Sequence, residues 1–250
     1  MQTLQPLLTT DDLVISYLPG TGPDLVVAFT GIGALDGPHQ QEEFIRVAWM
    51  EGANHVAFVK DRLRSWFSAP GLQDRIIAAV LALRRRLGPG RVMTLGNSMG
   101  GHGALLMAGR MGADVAMAFA PQYSMKSALI ADDRWDQLRG RMTEGGLAEL
   151  KDWVDGSFTA YAIFGASSDI DHLHRDLLNR LTPVQVWEIA ATAHNVGAAL
   201  QARGVLAGAV AAMMRGDAAA LARAFGARGN RLPKLTAAAA GRNIGKVVLP

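Results

Sequence analysis

The 250-residue chain contains no cysteine, which excludes disulfides, thiolate metal sites and cysteine nucleophiles together. Aromatic residues make up only 6% of it and charged residues 19%. Half of the chain is nevertheless apolar, with a mean hydropathy of +0.14, so disordered, collagen-like and coiled-coil classes are excluded and a packed core is expected. No window approaches the roughly 18 uninterrupted apolar residues of a spanning helix. The segment 1–10 has no Lys or Arg ahead of its short apolar patch, unlike a secretory signal. A cytoplasmic location without a membrane span is the expectation.

Acidic residues are absent from 227–250, which carries Arg228, Arg231, Lys234, Arg242 and Lys246. Against a formal net charge of +3, residues 1–226 therefore sum to −2. The expected organisation is one domain over 1–226 followed by a basic extension over 227–250. No aromatics interleave with those cations, so a nucleic-acid partner is not expected.

Short apolar runs alternate with longer helical patterns, which predicts an α/β fold with a mostly parallel central sheet flanked by helices. Strands are predicted near 13–17, 25–30, 55–59, 92–95, 115–119, 161–164 and 184–189. Helices are predicted at 72–87, 101–111, 127–139, 145–154, 171–181 and 196–225, the last broken near Gly216. About forty residues separate the strands ending at Phe119 and starting at Tyr161, longer than a usual crossover. A small lid at about 120–160 is expected there.

After the strand Val92-Met-Thr-Leu95 comes Gly96-Asn97-Ser98-Met99-Gly100, followed by an apolar helix. This is G-x-S-x-G in strand–turn–helix context, where the glycines permit a sharp turn that holds the serine above the sheet. Ser98 is the candidate nucleophile, and the Met99 N–H one candidate oxyanion donor. A serine hydroxyl needs a base, and the base an orienting acid, in the chain order Ser, acid, His. Asp169 and Asp171 follow the predicted strand 161–164, with Asp169 favoured because it is nearer the strand end. His194 follows the strand 184–189 and fits the base. The turn Thr30-Gly31-Ile32-Gly33 offers the second oxyanion donor, Ile32 first and Gly33 second. Arg64, Trp66 and Tyr123 lie in loops after strands and are candidates for substrate binding. The pair His172-x-His174 diverges on a helix, so no metal is expected. No phosphate loop and no complete dinucleotide fingerprint is present, so no cofactor is expected.

Gly96-Asn-Ser98-Met-Gly100, the Asp169 loop, His194 and the Thr30-Gly31-Ile32 turn together resemble the α/β-hydrolase family, over residues 13–225. The resemblance implies an eight-stranded, mostly parallel sheet and an acyl-enzyme mechanism. Thr30-Gly31 departs from the family's common His-Gly turn. The segments 58–66, Gly96–Gly101 and Ala118–Ser124 also resemble a bacterial subgroup met alongside surface-polysaccharide enzymes. The expected activity is a serine hydrolase acting on a small-molecule or saccharide ester. Its rivals are an acyltransferase acting on a saccharide hydroxyl, and a non-catalytic hydrolase-fold binding protein that docks through 227–250.

Overall fold

A computed structural model describes residues 3–33, 40–88 and 90–235. Nine strands among them form one sheet in the order β1-β2-β4-β3-β5-β6-β7-β8-β9. These are β1 (Gln5–Thr9), β2 (Leu13–Leu18), β3 (Leu25–Phe29), β4 (His55–Asp61), β5 (Val92–Asn97), β6 (Val115–Phe119), β7 (Thr159–Gly165), β8 (Val184–Ile189) and β9 (Gly229–Arg231). The run from β4 through β8 is parallel, whereas β1, β2 and β9 pair antiparallel at the two edges. Every residue of β3 and β6 is buried, as parallel strands covered on both faces require. In β2, buried Leu13, Ile15 and Tyr17 alternate with half-buried Val14 and Ser16, the period-2 pattern of a strand near an edge.

The helices are α1 (Ile45–Trp49), α2 (Leu72–Leu87), α3 (Met99–Met111), α4 (Asp169–Arg180), α5 (Val196–Ala202), α6 (Leu206–Met214) and α7 (Ala218–Phe225). Helix α3 lies against β3, β5, β6 and α2. The basic end of α2 has a structural use: Arg84 donates to the carbonyls of Met111 and Gly112 at the end of α3, where orphan carbonyls gather negative partial charge.

Three expectations change. The helix predicted over 196–225 breaks at Gly216 as expected but also at Gly204, both left-handed, which gives three helices. The helices predicted at 127–139 and 145–154 are short 3-10 turns at Asp133–Arg141, Glu144–Gly146 and Leu150–Asp152; Gly140, Gly145 and Gly146 weaken any continuous helix there. Among the described residues the sheet has nine strands where the resemblance implies eight, and β9 comes from the expected extension. Leu232 N–H donates to Val186 O, Asn179 Nδ2 to Pro233 O, and Lys234 Nζ to Leu181 O at 2.7 Å, so residues 229–234 are fastened to the sheet edge. The rest of the basic extension, from 236, lies outside the described residues. No single helix among the described residues is long and apolar enough to cross a membrane.

Candidate active site

Strand order reverses between β3 and β5: the chain goes from β3 outward to β4, then crosses back to β5 on the other side. Open α/β sheets bind ligands in the crevice beyond the strand C-termini at such a point. The turn after β3 and the turn after β5 meet there. Ser98 occupies the second, at φ 55° and ψ −122°, a region that disfavours side chains and costs on the order of 1–3 kcal/mol. Its N–H donates to Phe119 O and its carbonyl accepts from His102 N–H, so the surroundings hold the strain. A Cβ on Gly96 would lie 2.2 Å from the Gly100 backbone, and one on Gly100 2.1 Å from Phe29 O. The elbow closes only because both positions are glycine.

Ser98 Oγ lies 2.9 Å from His194 Nε2, and His194 Nδ1 lies 2.8 Å from Asp171 Oδ2. A carboxylate only accepts, so Nδ1 carries the imidazole proton and Nε2 is left to accept from the serine hydroxyl. The carboxylate brought to His194 is that of Asp171, not that of the expected Asp169. Helix α4 begins at Asp169 itself, and two helical positions differ by about 200°. Asp171 thus shares the inner face with His174 and Leu178, all buried, while Asp169 is exposed.

Arg134, from the segment between β6 and β7, binds Asp171 Oδ1 at 2.9 Å with Nη1 and clasps Asp132 through Nε at 2.8 Å and Nη2 at 2.7 Å. Asp132 Oδ2 in turn meets His174 Nε2 at 3.2 Å, while His174 Nδ1 accepts from Tyr123 N–H. That second bond requires Nδ1 to be unprotonated, so His174 is neutral and donates to Asp132 from Nε2. Burial pushes the His174 pKa down, against the pull of Asp132. For Asp171, burial favours the neutral acid, but the His194 bond and the Arg134 charge outweigh it and hold the carboxyl below its ordinary value. Asp132 is held lower in the same way, by Arg134 and then His174. Neither Arg134 nor Asp132 carries a motif that sequence reasoning could use; an Asp-x-Arg pair in an irregular segment is common.

The Gly31–Ile32 peptide is fixed by Gln40 Nε2, which donates to Gly31 O at 2.7 Å, and Arg64 Nε donates to Ile32 O at the same distance. A Cβ on Gly31 would stand 3.1 Å from Asn97 O, which brings this turn onto the elbow. Among the described residues nothing accepts from Ile32 N–H or Met99 N–H. Arg64, Trp66 and Tyr123, the candidates for substrate binding, each have a partner within the protein. All three are buried, at 8%, 1% and 4% exposure. Arg64 buttresses the Ile32 turn, and Trp66 Nε1 donates to Gln122 Oε1 at 3.0 Å. Tyr123 contributes its backbone N–H to His174. The aromatic that reaches the site is half-buried Trp135, 6.3 Å from the His194 ring and 6.0 Å from that of Trp66, centroid to centroid.

No family model matches the sequence, and no curated protein matches it. Solved structures do. The capsule O-acetyltransferase of Neisseria meningitidis serogroup A superposes with a TM-score of 0.58 at 14% identity, over 83% of this chain and 94% of that one. The esterase Pf2001 of Pyrococcus furiosus gives 0.57 at 11% identity, over 86% and 92%. XC6422 of Xanthomonas campestris, described as an α/β serine hydrolase without lid, gives 0.51 at 16%, over 82% and 91%. The chain has the α/β-hydrolase fold.

Within that fold, the β6–β7 segment where a lid was expected is tied to the body. Leu138, Leu147, Leu150 and Val154 are buried, and Thr143 N–H donates to Ser68 Oγ at 2.9 Å. A cavity of about 390 Å³ opens beside the elbow, lined by Glu43, Phe44, Asn97, Asn195, Gly197 and Gln201 among others. Asn97 precedes Ser98, and Asn195 follows His194. Burial pushes Glu43 up to about 7, opposed by the Gly31 N–H at 3.3 Å. Among the described residues no cluster of His, Asp and Glu could hold a metal ion.

Proposed function

We propose that the protein is a serine hydrolase that cleaves a carboxylic ester through an acyl-Ser98 intermediate. The observation that carries this reading is the continuous line Ser98 Oγ, His194, Asp171, with contacts of 2.9 and 2.8 Å, mounted on a strained elbow at the crevice of the sheet. His194 Nε2 takes the hydroxyl proton as Ser98 Oγ attacks the acyl carbon, then returns it to the leaving alcohol. Water, deprotonated by the same nitrogen, releases the acid. Asp171 keeps the proton on Nδ1 and stabilises the imidazolium. The Met99 and Ile32 N–H groups hold the oxyanion, each such donor being worth about 10²–10³ in kcat.

Labelling with a fluorophosphonate probe, followed by turnover of a panel of acyl esters, tests the reading. Wild type is expected to label at Ser98, and Ser98→Ala to lose on the order of 10⁶ in kcat. Near-normal ester turnover by a folded Ser98→Ala protein would sink the mechanism.

A second reading keeps the acyl-enzyme and replaces water by a saccharide hydroxyl. It is favoured by the likeness to a capsule O-acetyltransferase over most of both chains. Saccharide acceptors added to the ester assay separate the two: transfer product at the expense of free acid supports acyltransfer, and unchanged hydrolysis supports the esterase.

A further inference from the structure

Ser98 Oγ has a second side-chain partner. Gln122, fully buried in the turn after β6, places Nε2 3.2 Å from Ser98 Oγ. Its amide has one orientation open to it. The Trp66 indole can only donate, so the Gln122 atom that faces it at 3.0 Å is Oε1, and Nε2 must face the serine. Trp66 is itself immobilised. Asp61, buried at the end of β4, accepts from Leu63 N–H, Ser65 N–H, Ser65 Oγ and Phe67 N–H at 2.7–3.1 Å. Around that carboxylate the loop takes left-handed φ at Arg64, Trp66 and Phe67, of 55°, 53° and 60°. On the other side, His102 Nδ1–H donates to Gln122 O at 2.8 Å, so backbone and side chain of Gln122 are both held.

We propose that Gln122 is a catalytic donor to Ser98 Oγ, aimed by Trp66 as a positioning residue; the proposal rests on the acyl-Ser98 reading above. In acylation the Oγ–H bond breaks toward His194 Nε2 while an Oγ electron pair forms the bond to the acyl carbon. In deacylation that bond breaks, the pair returns to Oγ, and the proton returns from His194. Negative charge builds on Oγ in both passages, and the Gln122 N–H meets it without taking or giving a proton. In the resting enzyme the same bond occupies one Oγ lone pair and leaves the hydroxyl hydrogen for His194.

The test uses the full chain with Gln122→Met, which keeps side-chain length and loses the donor, and Trp66→Phe, which loses the anchor. For Gln122→Met, kcat is expected to fall by about 10², the lower end for losing a donor at developing charge, with little change in KM. The second-order rate of fluorophosphonate labelling should fall in parallel, because it reports Oγ attack alone. Trp66→Phe should lose less in the same direction, and the double variant should lose no more than Gln122→Met. A folded Gln122→Met that labels and turns over like wild type overturns the proposal while leaving the acyl-Ser98 reading intact; failure of wild type itself to label overturns that reading instead. Should Gln122→Met not fold, Trp66→Phe decides: wild-type labelling and turnover by that variant overturn the proposal, and a parallel fall in both supports it.

Discussion

Two arms reach Ser98 Oγ, and they are built from opposite chemistry. One is ionic: His194, Asp171, Arg134, Asp132 and the neutral His174 form a continuous set of contacts between 2.7 and 3.2 Å. It draws on the turn after β8, the first two turns of α4 and the irregular β6–β7 segment. The other is neutral: Gln122, Trp66 and His102 come from the turns after β6 and β4 and from the elbow helix α3. Under the acyl-Ser98 reading, the ionic arm contains the group that gains and loses a proton, and its charges are spaced to keep Asp171 ionised despite burial. The neutral arm contains nothing that need change charge, so it can be fully dehydrated without the cost of burying an ion. Moving a proton and holding a geometry thus call for different side chains around the same oxygen.

The largest break in this comparison comes at Asp171. Asp171→Asn preserves shape but favours the wrong His194 tautomer, and kcat should fall by about 10⁴. Asp169→Asn, at an exposed position on the far side of α4, should leave kcat near wild type. Steady-state turnover of the two variants side by side checks the assignment; the reverse order of effects would return the acid role to Asp169.

That pair also marks how far the sequence can be read. The elbow is legible because five consecutive residues, Gly96 to Gly100, between a strand and a helix carry the whole signal. His194 is legible from chain order and its place after β8. Asp169 against Asp171 is a question of helical phase, and the phase is visible only once α4 is known to start at Asp169. With that start, the spacing of Asp171, His174 and Leu178 points one face inward. The contacts of Arg134 with Asp171 and of Gln122 with Ser98 were beyond reach for a different reason. Those pairs are separated by 37 and 24 residues in the sequence, and no local periodicity encodes such meetings. Trp66, an indole in a loop after a strand, suits substrate binding and burial alike in sequence; its burial at 1% exposure depends on packing of the β4–α2 loop that its own residues do not announce. Continuously apolar strands are legible in the sequence; β1, an edge strand largely exposed and interrupted by Pro6, and β9, a three-residue polar edge strand, are not.

A smaller effect tests whether the second arm is neutral in fact. Burial pushes His102 down to about 4, with the Gln122 carbonyl opposing. Between about pH 6.5 and pH 4 the unfolded chain binds a proton that the folded one refuses, so stability falls as pH falls through that window. The span corresponds to about 3 kcal/mol. Urea unfolding at pH 7 and pH 4 should show a smaller loss for His102→Gln than for wild type. Equal losses would mean that His102 is not the group being charged.

The smallest expected effect separates the arms by the shape of a curve. Arg134→Gln leaves the buried Asp171 and Asp132 carboxylates without their shared cation, so Asp171 should hold its charge only at higher pH. An opposite charge this close is worth about 1–3 pKa units, which moves the acid limb of the kcat/KM profile upward while the alkaline limb stays in place. The loss at neutral pH should be small, because a rise of about 1–3 units from below the ordinary carboxylate value leaves Asp171 largely ionised there, and it should deepen as pH falls. Gln122→Met should instead lower the whole profile without moving either limb, because an amide does not titrate. A uniform drop for Arg134→Gln would show that the guanidinium only packs the β6–β7 segment, and the distinction between an arm that sets charge and an arm that sets geometry would then fail at its ionic end.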